Sequence, residues 1–285
     1  MQVIKASGDK QEFQINKIIK TCKKAGASDK LARQVAKRVE ASLEPGISTR
    51  EILDLVLDLL HQENPGLATR YNLKQAVLAL GPAGFLFEKF VKRLLLEYGY
   101  DAYLPKLIQG KCVKHEVDIC AQAPKKESIP WEKSSQNNSY MVECKYHNDS
   151  GTRSGIKIAL YTKARFLDLR EAKHKNKFFD YPWLISNTKF SNMAIKYGHC
   201  ENLRLLGWKY PKGLGLERLI EDKKLYPITI LKSANSFIKK TLFSRDIITC
   251  QDFLNEKRDD LKKETKIYYN TLIKLTDEAK ILLGK

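Results

Sequence analysis

The chain has 285 residues and a formal net charge of +18, from 51 Lys and Arg against 33 Asp and Glu. A 43% hydrophobic content supports packed cores and excludes wholesale disorder. The basic excess favours a polyanionic partner, because each neutralised phosphate releases condensed counterions. The opening MQVIKASGDK lacks the apolar stretch of a signal peptide. No run approaches the roughly 20 apolar residues that cross a bilayer, so no membrane partner is expected. Cys22, Cys112, Cys120, Cys144, Cys200 and Cys250 are scattered without a CxxC pair, which fits free thiols in a reducing cytoplasm.

Residues 1–13 read as two short strands about a Ser7-Gly8-Asp9 turn. From Asn16, Ile18, Ile19, Cys22 and Ala25 recur at helical spacing, and Gly26 ends that helix. Ser28 caps a second helix through Leu31, Val35 and Val39, broken by Pro45-Gly46. Ser48 and Glu51 have the spacing of a capping box before a third helix carrying Ile52, Leu55, Val56, Leu59 and Leu60. A fourth helix runs from about Leu67 to Leu80 and stops at Gly81-Pro82. Residues 1–82 are therefore expected to form one small unit, a β-hairpin followed by helices.

Phe85, Phe87, Val91, Leu94, Leu95 and Tyr98 mark the next helix, closed by Gly99. Three strand-like pieces follow, over 100–107, 112–121 and 139–146, the last two joined by a polar loop. A helix over 154–169, a strand over 183–186, a helix over 190–197 and a strand over 203–208 complete an α/β layout spanning 83–210. Residues 211–285 read as a small, basic helical extension ending in one long helix from about Arg258.

The chemistry concentrates in His115-Glu116-Val117-Asp118 and Glu143-Cys144-Lys145. A strand places alternate side chains on one face, so Glu143 and Lys145 point together while Val142, Cys144 and Tyr146 point the other way. Glu116 and Asp118 likewise share a face. If the two strands are neighbours, Asp118, Glu143 and Lys145 converge. Two hard carboxylates at one point can hold Mg²⁺ or Mn²⁺, which polarises a phosphodiester and activates water. A lysine beside them can stabilise charge developing on phosphate. Lys157, Tyr161 and Arg165 form one stripe on the following helix, placed to lie along DNA phosphates, with a solvated basic face as the competing reading. Zinc at Cys112, His115, Cys120, Cys144 and His147 is weighed below a core role for the cysteines, because zinc sites use tighter paired ligands.

Gly84-Phe85-Leu86-Phe87-Glu88, with Leu94-Leu95, Tyr98-Gly99-Tyr100, Asp118 and Glu143-Cys144-Lys145, resembles Mrr-type restriction endonucleases of the PD-(D/E)xK class. The resemblance covers about residues 83–208. It implies an αβββαβ restriction-endonuclease-like core and cleavage of DNA by a restriction or defence enzyme, with Glu88 turned toward the metal site. Many Mrr-type proteins carry QxK where this chain has Glu143-Cys144-Lys145. Val3-Ile4-Lys5, Gly8, Phe13, Lys17-Ile18 and Ile47-Ser48-Thr49 resemble the ATP cone, a regulatory nucleotide-binding domain. That resemblance implies ATP or dATP as effector, with Lys5 and Lys17 meeting the triphosphate and Thr49 near the nucleotide. Lys5-Ala6-Ser7-Gly8 stands where the family has KRDG. The combined expectation is an ATP-regulated DNA endonuclease, a cytoplasmic homo-oligomer. The alternatives are a nucleotide-responsive DNA-binding regulator that does not cleave and a structure-specific junction resolvase.

Overall fold

The computed structural model describes residues 2–4, 8–81, 85–105, 107–124, 129, 138–149, 151–172 and 179–285. Two strands, β1 (Gln2–Ile4) and β2 (Lys10–Glu12), pair antiparallel as the expected hairpin. Then come α1 (Ile15–Lys24), α2 (Asp29–Ala41), α3 (Thr49–Glu63), α4 (Pro65–Tyr71) and α5 (Leu73–Leu78). Ser28 caps α2 by accepting from the Leu31 N–H at 3.2 Å. Ser48 and Glu51 close a capping box on α3. The expected fourth helix is two, because Asn72 interrupts it.

The sheet region begins with α6 (Phe85–Glu97) and β3 (Asp101–Tyr103). A small hairpin of β4 (Ile108–Gln109) and β5 (Lys114–His115) follows, then β6 (Ile119–Gln122) and β7 (Ser139–Lys145). After them come β8 (Arg153–Ser154), α7 (Ile156–Glu171), β9 (Tyr181–Ser186), β10 (Lys189–Phe190), α8 (Asn192–Cys200) and β11 (Arg204–Leu206). The main sheet has five strands in the order β11-β9-β7-β6-β3. β6 runs antiparallel to both β3 and β7, while β7, β9 and β11 are parallel. This mixture of helix and strand is the expected α/β class. The first two strands come out shorter than expected. Asp168 of α7 accepts the N–H groups of Cys112 and Val113, at 2.8 and 3.3 Å, and this pulls 108–115 into its own hairpin.

The remaining helices are α9 (Leu216–Asp222), α10 (Ser236–Ser244), α11 (Cys250–Asn255), α12 (Arg258–Glu264) and α13 (Tyr269–Leu283). The long last helix expected from Arg258 is broken at Thr265, which adopts extended backbone. The chain divides into two compact units. One comprises Met1–Gln75, Ile230–Ile238 and Leu254–Lys285; the other comprises Ala76–Thr229 and Lys239–Phe253. Residues 211–285 are thus shared between the two units rather than standing apart. In the first unit Val35, Val39, Val56, Leu60 and Leu67 belong to one core, and α13 packs on α4. In the second, Met141, Phe166 and Leu169 fill one sheet face with Val117 and Cys120.

Candidate functional site

The second unit gathers its carboxyl groups where β6 and β7 meet. The antiparallel register sets Ile119 opposite Val142, so Asp118, in the bend before β6, arrives beside Glu143 and Cys144. Asp118 Oδ2 accepts the Cys144 N–H at 2.6 Å. Alternation along β7 then sorts the side chains. Met141 packs on Phe166 and Leu169 of α7, and Glu143, on the same face, is ion-paired to Arg165 of α7. On the opposite face the Tyr146 ring lies 5.7 Å from Phe87 of α6. The predicted facing of Glu143 and Tyr146 is therefore the observed one. Asp118 precedes its strand instead of lying within it, and Glu116 is exposed.

Glu88, in the first turn of α6, belongs electrostatically to the same cluster. Burial pushes its carboxyl up to about 7, and the charges of Asp118 and Glu116 add to the rise. Burial also raises Glu143 to about 7, reinforced by Asp118 and Glu88 and opposed by Arg165 and Lys145. Asp118 is raised by burial, with the Cys144 N–H, Arg165 and Lys145 acting against it. Among the described residues Lys145 and Arg165 oppose the rise at Asp118 and Glu143, whereas the charges acting on Glu88 are those of Asp118 and the exposed Glu116. The Cys144 thiol, desolvated and near Asp118, Glu88 and Glu143, is pushed well above the usual thiol range and stays neutral.

Arg165 departs most from its sequence reading. Its side chain is 10% exposed and turned toward Glu143. Its Nη2 donates to the Tyr161 hydroxyl at 2.6 Å, and the guanidinium sits 4.6 Å from the centre of the Tyr161 ring. Of the expected phosphate-facing stripe, Lys157 and Tyr161 are exposed, whereas Arg165 holds a carboxylate. No local pattern signals this pair, because Glu143 and Arg165 sit on different elements.

Behind the end of β7 lies a polar network that sequence reasoning missed. The His147 N–H donates to Asn187 Oδ1 at 2.8 Å, and Asn187 Nδ2 donates back to the His147 carbonyl at 2.8 Å. His147 Nε2 meets Ser154 Oγ at 2.9 Å, and Ser154 Oγ meets Ser186 Oγ at 2.9 Å. Ser154, Ser186, Asn187 and Thr188 are wholly buried, so these bonds fix the chain leaving Lys145. Burial and the nearby Lys145 lower the His147 pKa, which keeps the ring neutral. His115 Nε2 lies 2.7 Å from Asp168 Oδ2. Both histidines of the zinc alternative are therefore engaged elsewhere. Among the described residues no group of three or more His, Cys, Asp or Glu is arranged to hold a metal ion.

In the first unit, Lys5 lies outside the described residues. Its neighbour Ile4 donates its N–H to the Ile47 carbonyl at 3.0 Å, which brings β1 beside the start of α3. Thr49, first residue of α3, is half-exposed, and Lys17 on α1 is exposed. No helix is long and apolar enough to cross a membrane among the described residues.

Comparison with known proteins matches residues 1–73 to the ATP cone domain and residues 226–283 to the C-terminal domain of the AF1548-like family. An uncharacterized protein of Archaeoglobus fulgidus is 36% identical over 192 residues, covering 67% of this chain and 99% of the relative. A crystal structure of a protein of unknown function, AF1548, superposes with a TM-score of 0.57 at 33% identity, covering 71% of this chain and all of that one. The cone match ends nearer α5 than the Gly81-Pro82 boundary read from the sequence. The chain belongs to the AF1548-like family and carries an ATP cone domain at residues 1–73.

Proposed function

We propose that the chain is a metal-dependent DNA endonuclease of the PD-(D/E)xK class, a restriction or defence enzyme whose cleavage is set by ATP or dATP on the cone. The observation that carries this reading is the convergence of Glu88, Asp118 and Glu143 with Lys145 at one end of β6 and β7. The order of α6, three antiparallel strands, α7 and a parallel strand supports the restriction-endonuclease-like core. A carboxyl whose pKa is raised by burial beside a specific charged neighbour is a candidate functional group.

The donor chemistry fits a hard divalent cation: carboxyl oxygens close together, with Lys145 and Arg165 as the cations acting on Asp118 and Glu143 among the described residues. Asp118 and Glu143 would hold Mg²⁺ or Mn²⁺, with Glu88 close by. Such an ion, when bound, supplies Lewis acidity toward the phosphodiester. Lys145 stabilises the phosphate charge. Arg165 positions Glu143 through their ion pair, and the His147–Asn187 bonds hold the chain that follows Lys145. The net charge of +18 supplies sequence-independent attraction to DNA. In the cone, Lys17 and Thr49, with Lys5, meet the nucleotide, which acts as an effector and is not hydrolysed. Self-association into a homo-oligomer belongs to the same reading.

The pairing of Glu143 with Arg165 favours a second reading, a nucleotide-responsive DNA-binding regulator that does not cleave. The two separate in one assay: full-length protein with plasmid, methylated plasmid and branched DNA, with and without Mg²⁺ and ATP. Cleavage that requires the divalent ion and disappears in Asp118→Ala, Glu143→Ala and Lys145→Ala, while DNA binding survives, supports the nuclease. DNA binding without cleavage on all three substrates supports the regulator. Branched DNA as the preferred substrate would identify a junction resolvase.

A further inference from the structure

At the other end of the parallel strands lies a cavity of about 390 Å³, whose lining includes Tyr181, His199, Arg204 and Tyr210. Tyr181 opens β9 and Arg204 opens β11. Tyr181 pairs with Tyr140 and Ser186 with Lys145, so the length of β7 separates this cavity from the carboxyl cluster. Its size falls within the range of about 300–1,000 Å³ usual for small-ligand sites.

The lining has a consistent chemistry. Gly198, Leu203 and Leu205 are buried and form an apolar floor. The Arg204 guanidinium lies 5.2 Å from the centre of the Tyr181 ring. On the other side the Tyr210 hydroxyl is 2.7 Å from His199 Nε2, and Phe190 meets the Tyr210 ring edge-on at 6.1 Å. Among the described residues no Asp or Glu lines the cavity. The acids nearest in sequence are committed elsewhere. Asp180 accepts from the Ser139 N–H at 2.7 Å, and Glu201 pairs with Lys163 at 3.2 Å. Among the described residues Arg204 makes no ion pair. A guanidinium stacked on a ring keeps its N–H edges free for a planar anion, and it binds phosphate bidentately. Aromatic faces take any base.

We propose that this cavity binds a nucleotide, with the base against Tyr210 and the phosphate on Arg204 and His199, while Tyr181, stacked on Tyr140 at 6.0 Å, backs the Arg204 guanidinium. Its lining residues all belong to the second unit and lie at the opposite end of β7 from the carboxyl cluster. Its ligand is either a free mononucleotide or one nucleotide of a single strand.

The test uses full-length protein with leucine methyls labelled and the Leu203 and Leu205 resonances assigned, since these report on the cavity floor and not on the cone. Thymidine 5′-monophosphate, inorganic phosphate and a thymidine hexanucleotide are titrated separately. Saturable shifts of both methyls are expected with the nucleotide, with affinity about tenfold lower in Arg204→Ala, a change that corresponds to losing one good stacked or bidentate contact. Arg204→Lys, which keeps the charge but not the stacked plane, should fall between. Tighter binding of the hexanucleotide assigns the site to a strand, and equal or weaker binding to a free nucleotide. The proposal is overturned if neither nucleotide ligand moves the methyls at millimolar concentration, if phosphate alone matches the mononucleotide, or if Arg204→Ala binds as well as wild type. Unshifted leucine methyls elsewhere show that the variants remain folded.

Discussion

The two units handle their charged groups in opposite ways. In the cone unit Asp29 is ringed by Lys23 at 2.7 Å and Arg33 at 2.6 Å, all half-exposed or more, and these bonds lower its pKa to about 2. In the sheet unit Glu88 and Glu143 are driven to about 7 by burial. Surface ion pairs contribute little to stability, so Asp29 reads as ordinary helix electrostatics. Desolvated carboxyls cost stability when ionised, which makes the cluster at β6 and β7 the candidate site and Asp29 an ordinary surface charge.

The largest expected effect tests whether the C-terminal segment belongs to the cone. Leu272, Leu275, Ala279, Leu282 and Leu283 of α13 are buried, and a Cβ added to Gly66 at the start of α4 would meet Ile281 Cγ2 at 3.4 Å. Leu275→Ala should therefore cost about 2–5 kcal/mol, the range for large-to-small changes in cores. Calorimetry or denaturant unfolding should show the loss in the transition of the unit holding residues 1–75, with retarded hydrogen exchange there lost first. Unchanged exchange over residues 15–71 would detach α13 from the cone.

The second prediction acts on the sheet unit. Arg165→Met removes the partner of a buried carboxylate, which typically costs about 3–5 kcal/mol if the charge remains. Glu143 escapes part of this by taking up a proton, so the loss should be greater at pH 8 than at pH 5. Urea midpoints at the two pH values check this. Equal losses would mean that Glu143 is not ionised beside Arg165.

The pattern of success in reading the sequence follows the range of the interactions. α6, α7 and the facing of Glu143 and Tyr146 were legible because hydrophobic period and strand alternation are local. The Ser48–Glu51 box was legible for the same reason. The pairing of β6 with β7 could be stated as a condition, and the register met it. What escaped depends on distant contacts. Asp168 draws residues 108–115 into a separate hairpin, and Arg165 reaches Glu143 on another element. The extension at 211–285 divides because residues 230–238 and 254–285 group with the cone unit, where α13 packs on α4, while 239–253 join the other unit. The break at Thr265 has a local correlate, the Ile267-Tyr268-Tyr269 run, which disfavours helix only weakly.

The two smallest effects come from one substitution made in both units, carboxylate to amide. In the sheet unit Glu143 has a folded pKa above its ordinary value, so the native state holds more protons than the unfolded chain between roughly pH 4.5 and 7. Stability should fall as pH rises through that window and remain low above it. Glu143→Gln removes the charge, so at pH 8 it should gain on the order of 2 kcal/mol against wild type, lessened by the loss of the Arg165 pair, and at pH 4 it should be near neutral. In the cone unit the sign reverses. Asp29 has a folded pKa below its ordinary value, so its contribution is present above about pH 4 and is lost as pH falls toward 2. Asp29→Asn should destabilise slightly at pH 7, less in high salt, because both partners are exposed and screened. Melting curves of both variants at pH 4 and 8, in low and high salt, decide the matter. A larger loss from Asp29→Asn than gain from Glu143→Gln, or a gain at Glu143 that vanishes in high salt, would mean that the carboxyls at β6 and β7 are solvated like any surface acid. The distinction between scaffold charge and site charge would then fail.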